Sequence, residues 1–367
     1  GTITAGGTIS IDLKSVTGTN TVTNTSSGTI SAAGTKAIRA NISDGLTIAN
    51  SGTISSDAAV AIDIENSTNA TLNNSGTIKQ DDFRFLSQSD SDACCDYSAT
   101  TIRVGASGSG ATIINSGTIS ASHQNYHAIT IGDEEANAAH NNATIENSGT
   151  ISAGSDDYGR AIIIIPSASG TITSGTDTIK TLSTGMTLTN YSGGTISAQA
   201  AQDETILKAI FISGNNNTIK NYGTISGAGD TDSINVGSGV TGTKIYVDGA
   251  PTFTGEVELT NSTVAANTTM YLGCSMTQDT TIEIHNHGGA LNVENNLCGN
   301  DTYTLSTEVL DGSDSDDGYL IIDEGLEVVS NNASYRSENV LTKLKGLFSA
   351  ANYIDGVEPE DKFFRLF

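Results

Sequence analysis

Residues 47–55 read TIANSGTIS, and the chain returns to this phrase with small changes. The close copies are TLNNSGTIK at 71–79, TIINSGTIS at 112–120 and TIENSGTIS at 144–152. A unit that recurs with a period of about 20–50 residues is typical of solenoid proteins, in which each repeat stacks on its neighbours. The phrase therefore predicts a coiled, repetitive fold for most of the chain.

The Gly-Thr-Ile triplet inside this phrase marks the repeat along the chain. The ten triplets open at Gly1, Gly7, Gly28, Gly52, Gly76, Gly117, Gly149, Gly170, Gly194 and Gly223. The spacing is 24 residues from Gly28 to Gly52 and to Gly76, and again from Gly170 to Gly194. The other spacings are irregular, which is expected if the turns between strands accept insertions.

Each full repeat contains three short apolar segments. The first has the pattern Ala-Ile-x-Ile, as at 61–64, the second Thr-Ile/Leu-x-Asn, as at 71–74, and the third is the triplet itself, as at 76–78. Most of them alternate with period two and are rich in β-branched residues, which indicates strands of about three to five residues. The sequence predicts an all-β fold, a right-handed parallel β-helix with three short strands per rung around a thin aliphatic core.

An asparagine closes the second segment of each repeat, just before the triplet. These residues are Asn50, Asn74, Asn115, Asn147, Asn190 and Asn221. In a coil of stacked rungs they are expected to form a ladder, with side-chain amides bonded to one another and to turn backbone. The glycine that follows is expected to supply backbone freedom at the turn. A ligand-binding row of asparagines is the alternative interpretation.

Composition limits the classes of partner. The formal net charge is −25, which argues against nucleic acid, because phosphate binding needs a basic face, and against docking on an anionic membrane. No run of 18 apolar residues exists, so the sequence predicts no direct membrane insertion. Aromatic residues are only 5% of the chain, which suits a rod with a narrow core better than a sphere.

Three regions are distinguished by their patterns. Residues 1–250 carry the regular repeat, whereas 251–330 lose the triplet and are predicted to be either a degenerate solenoid or a β-rich cap. Residues 331–367 form a third region with a predicted short C-terminal helix at 337–353 and an apolar tail. The segment 80–98 interrupts the repeat and is predicted to be a loop.

Four cysteines indicate the compartment. Cys274 and Cys298 are 24 residues apart, one nominal turn, so they are expected on neighbouring rungs, where they could form a disulfide. Cys94 and Cys95 are adjacent, and they could bridge to each other, stay free or join another chain. Disulfides favour an oxidising, extracellular setting.

Three groups of residues are candidates for chemistry. An acidic, glycine-bounded loop is a candidate calcium site, and it contains Asp311, Asp314, Asp316 and Asp317. His285 and His287 alternate on one predicted strand and could share a metal, although two ligands are few. Asp81 and Asp82 resemble a fragment of the polygalacturonase pattern, but its companion motifs are not found, so no enzymatic activity is predicted. No cofactor other than calcium is expected.

The phrase Asn-Ser-Gly-Thr-Ile-Ser, at 50–55, 115–120 and 147–152, resembles the repeats of bacterial autotransporter passenger domains and related β-helical surface adhesins. The resemblance covers roughly residues 1–250 and implies a protein of the cell surface. We therefore expect an extracellular structural or adhesive protein whose copies associate head to tail into a filament or surface layer. The alternatives are a monomeric adhesin passenger that binds a surface glycan or host receptor, and a carbohydrate-active β-helix enzyme or tailspike-like protein.

Overall fold

A computed structural model of the chain describes residues 1–323, apart from residues 7–8, 17, 58–59, 82–99, 106–107, 122–126, 133–140, 154–161, 165, 175–176, 183, 199–207, 228–231, 286–289, 299–300 and 307–317. The described chain is nearly all β and winds as a solenoid, so the predicted fold class is confirmed. Three long sheets, named A, B and C here, run along the coil, and each turn adds one short strand to each sheet. Strands are numbered β1–β33 in chain order.

The triplet strands form sheet A, which has nine parallel strands. They are β1 Thr2–Ala5, β4 Thr29–Ala32, β7 Thr53–Ser56, β10 Thr77–Gln80, β13 Thr118–Ala121, β16 Thr150–Ser152, β21 Thr195–Ser197, β24 Thr224–Ser226 and β27 Thr252–Thr254.

The Ala-Ile-x-Ile strands belong to sheet B, which has twelve strands. In spatial order they are β2 Ile9–Lys14, β5 Lys36–Asn41, β8 Val60–Glu65, β11 Thr100–Gly105, β14 His127–Ile131, β17 Ile162–Ile164, β22 Ile210–Ile212, β25 Ile234–Val236, β28 Val257–Leu259, β30 Thr280–His285, β33 Gly318–Asp323 and β32 Thr302–Ser306. The last two pairings, β30 with β33 and β33 with β32, are antiparallel, whereas the others are parallel.

The Thr-Ile/Leu-x-Asn strands belong to sheet C, which has ten parallel strands. They are β3 Thr21–Asn24, β6 Thr47–Asn50, β9 Thr71–Asn74, β12 Thr112–Asn115, β15 Thr144–Asn147, β20 Thr187–Asn190, β23 Thr218–Asn221, β26 Thr243–Val247, β29 Thr268–Leu272 and β31 Asn292–Asn295.

The core is a set of aliphatic rows, one along the inner face of each sheet. In sheet A the isoleucine of each triplet pairs in register with the isoleucine of the next, as Ile54 does with Ile78. The fully buried members of this row include Ile54, Ile78, Ile119, Ile151 and Ile225. Because strands of three to six residues expose much of their backbone when alone, their stability depends on this stacking rather than on any single turn.

Two of the ten triplets do not belong to the sheet A row. Ile9 of the second triplet begins β2 in sheet B. The triplet at Gly170 lies in β18 Pro166–Ser174, which pairs antiparallel with β19 Asp177–Leu182 as a separate two-stranded hairpin. The 24-residue interval from Gly170 to Gly194 is therefore not a turn of the coil, and that interpretation of the spacing is wrong.

Insertions lengthen individual turns without changing the register of the strands. The stacked residues Asn50 and Asn74 are 24 positions apart, whereas Asn74 and Asn115 are 41 apart and Asn147 and Asn190 are 43 apart. The first long turn contains the predicted loop 80–98, most of which lies outside the described residues. The second contains the β18–β19 hairpin.

Past residue 250 the parallel coil continues and then ends in antiparallel pairing. Sheets B and C add β28 to β31, and β33 and β32 then close the end of sheet B. The short helix α1 Ser262–Ala266 follows β28, and the backbone N–H groups of Thr263 and Val264 donate to the Oδ1 atom of Asn261. The helix predicted at 337–353 lies outside the described residues.

Candidate functional site

The asparagines of sheet C form one continuous hydrogen-bonded ladder. Each Nδ2 group donates to the Oδ1 atom of the next asparagine over 2.7–2.9 Å. The members are Asn24, Asn50, Asn74, Asn115, Asn147, Asn190 and Asn221, all of them buried. Asn24 was not included in the predicted ladder, although it stands four residues before a triplet. The pattern missed it because valine replaces isoleucine or leucine in its strand.

The first rung leaves core positions exposed. Ile3 pairs in register with Ile30, yet Ile3 is 49% exposed and Ile30 only 3%. Among the described residues, β1, β2 and β3 each pair on one side only, so their other edges carry unpaired backbone N–H and C=O groups. Open strand edges beside an apolar surface are a template for further strands.

The last strand of sheet C has the same pattern as the first. β31 reads Asn-Val-Glu-Asn and β3 reads Thr-Val-Thr-Asn. Val293 pairs with Met270 in the core row. In the row of the ladder, Asn221 is followed by Val247, Leu272 and then Asn295. Asn295 is exposed, and its Oδ1 atom accepts from the N–H group of Leu297. Both ends of sheet C therefore have a valine at the core position and an asparagine at the ladder position, with Asn24 buried and Asn295 exposed.

An ion-pair network around the buried Asp63 lies on the outer face of sheet B. Asp12, Arg39, Asp63 and Arg103 follow one another in register on four adjacent strands, so charges of opposite sign alternate. The Nε and Nη2 groups of Arg103 donate to the two carboxylate oxygens of Asp63 over 2.8 and 2.9 Å. Arg103 Nη2 also donates to Glu65 over 2.9 Å. Sequence analysis missed this network because Asp63 and Arg103 are 40 positions apart across an insertion.

Asp63 is fully buried and is held in its charged form by cations. Lys36 contacts it on the other side and also reaches Glu65 at 3.1 Å. Burial raises the pKa of Asp63, but the hydrogen bond and charge of Arg103, a hydrogen bond with Glu65 and the charge of Lys36 outweigh it, so the net pKa is lowered. A carboxylate buried among three or more paired groups acts as a structural cross-link between rungs.

We expect Asp63→Asn to lower the free energy of unfolding at pH 7 by about 2 kcal/mol, because the half-buried Arg103 and Lys36 lose a charged, fully buried partner while Glu65 remains. Since the folded pKa is lowered, the stabilisation from Asp63 is present above its ordinary pKa of 3.8 and is lost as the pH falls through the folded value. The difference between wild type and variant should therefore narrow below pH 3.8. Urea unfolding at neutral and acidic pH measures it.

Asp81→Asn is the matched control for this prediction. Asp81 pairs with Lys79 at 2.6 Å on the surface, where an ion pair contributes little, so its loss should cost no more than about 0.5 kcal/mol. Equal losses for the two variants, or a difference that persists unchanged in acid, would contradict the assigned role of Asp63.

A cluster of one histidine and two glutamates lies at the last parallel strand pairing of sheet B, between β28 and β30. Glu258 and His285 are register partners on β28 and β30, and Glu256 immediately precedes β28. The Nδ1 atom of His285 lies 2.6 Å from Glu258 Oε2 and 3.2 Å from Glu256 Oε2. One ligand atom from each residue can be chosen so that all three lie within 4.8 Å of one another. The three side chains are partly exposed, so solvent reaches them.

More carboxylates surround this His–Glu cluster. Burial, opposed by the charge of His285 and reinforced by the charges of Glu283, Asp232 and Glu258, raises the pKa of Glu256 to about 7. Lys208 pairs with Asp232 at 3.2 Å, and the Tyr319 hydroxyl donates to Glu283 over 3.0 Å. The cluster therefore holds more negative charge than its neighbouring cations balance.

The remaining candidates from the sequence are distributed as follows. Cys274 and Cys298 form a disulfide, with Cα atoms 4.8 Å apart. The proposed calcium ligands Asp311, Asp314, Asp316 and Asp317 lie outside the described residues, as do Cys94, Cys95, Asp82 and His287. His285 contacts Glu256 and Glu258 of the preceding rung.

The described part of the chain contains no helix that combines the length and the apolar character needed to span a membrane. A scan against protein-family models finds no match to this chain, and searches of curated proteins and of solved structures also find no match. The structure itself shows a β-solenoid of threonine-rich rungs with an internal asparagine ladder.

Proposed function

We propose that this chain is an extracellular structural or adhesive protein of a cell surface, and that its copies stack end to end into a filament. The observation that carries the proposal is the match between the two ends of sheet C. One end presents Val22 and Asn24 on β3, and the other presents Val293 and Asn295 on β31. A second copy placed end to end would continue the core row and would place Asn295 next to Asn24 in the row of the ladder.

The occupant that fits the open first rung best is another copy of the same chain. A partner must cover Ile3 and also pair with the unpaired edges of three short strands at once. A like solenoid offers partners for β1 and β3, because among the described residues β27 and β31 each pair on one side only, whereas sheet B ends in the antiparallel strands β33 and β32. The Nδ2 group of Asn295 would donate to the Oδ1 atom of Asn24 in the next copy, in the direction that the ladder already runs.

Contacts between two different ends do not close on themselves unless a rotation makes a ring, so they generate open filaments. The net charge of −25 would discourage association along the sides of such filaments. The disulfide and the similarity of the repeat to autotransporter and adhesin passengers support placement outside the cell.

We expect Ile3→Lys to abolish concentration-dependent assembly of the purified chain, measured by sedimentation velocity. A lysine at this core position would place a charge in the dry centre of the junction. Ile114→Lys is the matched control, because Ile114 is similarly exposed at 39% but lies on the outer side of sheet C in mid-coil. The control should assemble as wild type does. A wild-type chain that stays monomeric at high concentration, or equal assembly of the two variants, would refute the proposal.

A further inference from the structure

We propose that Glu256, Glu258 and His285 form a binding site for a divalent transition-metal ion of the zinc class. The site differs from the acidic loop at 311–317 and from the histidine pair that the sequence suggested. The site joins two adjacent strands of sheet B, since Glu258 on β28 is the register partner of His285 on β30.

The spacing of the donor atoms suits a small ion. With metal–ligand distances of about 2.0–2.2 Å, tetrahedral ligands lie about 3.4 Å from one another. The Nδ1 atom of His285 lies 3.2 Å from one glutamate oxygen and 2.6 Å from the other, so small side-chain adjustments admit an ion between them. Three protein ligands that solvent can reach leave a fourth position for water.

The chemistry of the donors selects the class of ion. One imidazole nitrogen with two carboxylate oxygens suits zinc and its neighbours in the first transition row. Calcium instead takes six to eight oxygen ligands, and an imidazole is a poor substitute for one of them. The site therefore favours zinc over calcium.

The charges around the site favour a cation of charge +2. Glu283 and Asp232 add two further carboxylates to those of Glu256 and Glu258. Within the described residues near the site, the ammonium group of Lys208 opposes these negative charges, and it is paired with Asp232. A bound dication would neutralise the two glutamates that contact His285, and it would remove the repulsion between them.

The position of the site gives the ion a structural consequence. Among the described residues, β28 and β30 share two register pairs, Val257 with Ile284 and Glu258 with His285. On its far side β30 pairs antiparallel with β33. An ion held by β28 and β30 would therefore clamp the parallel coil to the antiparallel strands that close the end of sheet B.

The test is zinc binding to the full chain, freed of metal with a chelator and dialysed against ZnCl2 at pH 7.5. We expect about one zinc ion per chain and a higher unfolding temperature with zinc than without. His285→Ala and Glu258→Gln should each weaken binding at least about tenfold and remove the thermal shift. Glu294→Gln, a change at an exposed carboxylate on β31 of sheet C, should do neither.

Circular dichroism without metal establishes that each variant is folded, and cobalt absorption provides a second measurement that does not depend on stability. In wild type, Co²⁺ should give visible bands of a low-coordinate site with nitrogen and oxygen ligands, and these should be lost in the two ligand variants. No stoichiometric zinc binding by wild type, or zinc binding of unchanged affinity in His285→Ala, would overturn the proposal. A larger thermal shift with calcium than with zinc would also overturn it.

Discussion

Replacing Asn74 by alanine is expected to lower the free energy of unfolding by about 3–5 kcal/mol. The Nδ2 group of Asn74 donates to Asn115 Oδ1 over 2.7 Å and to the carbonyl oxygens of Gly76 and Thr118, and its Oδ1 atom accepts from Asn50 over 2.8 Å. Each net hydrogen bond contributes about 1 kcal/mol, and each buried partner left unsatisfied costs about 1–3 kcal/mol. Equilibrium unfolding in urea measures the change.

Asn73→Ala is a control in the same strand with the same substitution. Asn73 pairs in register with Ile114 on the outer side of β9, where it takes no part in the ladder. Its loss should cost no more than about 0.5 kcal/mol. If the two variants were destabilised to the same extent, the ladder would not be the source of rung-to-rung stability.

Replacing Gly76 by alanine is expected to cost about 3 kcal/mol or more, or to prevent folding. A Cβ atom on Gly76 would overlap the carbonyl oxygen of Gly52 and the carbonyl carbon of Ser51, which belong to the backbone of the preceding rung. Backbone in a stacked turn has no rotamer to change, so the rungs would have to separate and lose ladder hydrogen bonds as well. The measurement is again urea unfolding, with soluble yield as a second observable.

Gly6→Ala is the control for this steric argument. A Cβ atom at Gly6 meets no atom within 4 Å, and its backbone is not in the left-handed region. We expect Gly6→Ala to change stability by no more than about 0.5 kcal/mol. A tolerated Gly76→Ala variant would contradict the close stacking of turns that the fold requires.

The glycines of the triplets are required at the turn, as the sequence predicts, but for a different physical reason. The sequence pattern predicted that they supply conformational freedom. Gly52, Gly76, Gly117 and Gly149 do not have positive φ angles, and each is required because the turn below passes too close for a side chain. This close approach is a property of two stacked rungs, so a single repeat does not reveal it.

The rungs and the ladder could be predicted because the regular repeats have the same residues at equivalent positions. The triplet at Gly170 was misassigned because its local pattern is identical to the others, whereas its antiparallel partner β19 is defined only by pairing. The Asp63–Arg103 network and the His–Glu cluster were missed for a related reason. Their members carry no shared motif and meet only through the register of strands separated by insertions or degenerate turns.

Electron microscopy of the purified wild-type chain over a range of concentrations shows whether copies stack end to end. A single coil with the ten strands of sheet C, spaced by about 4.8 Å, is a rod about 45 Å long. We expect filaments many times that length, one solenoid wide, with the strand spacing continuing across each junction between copies. Isolated rods about 45 Å long at every concentration would contradict it.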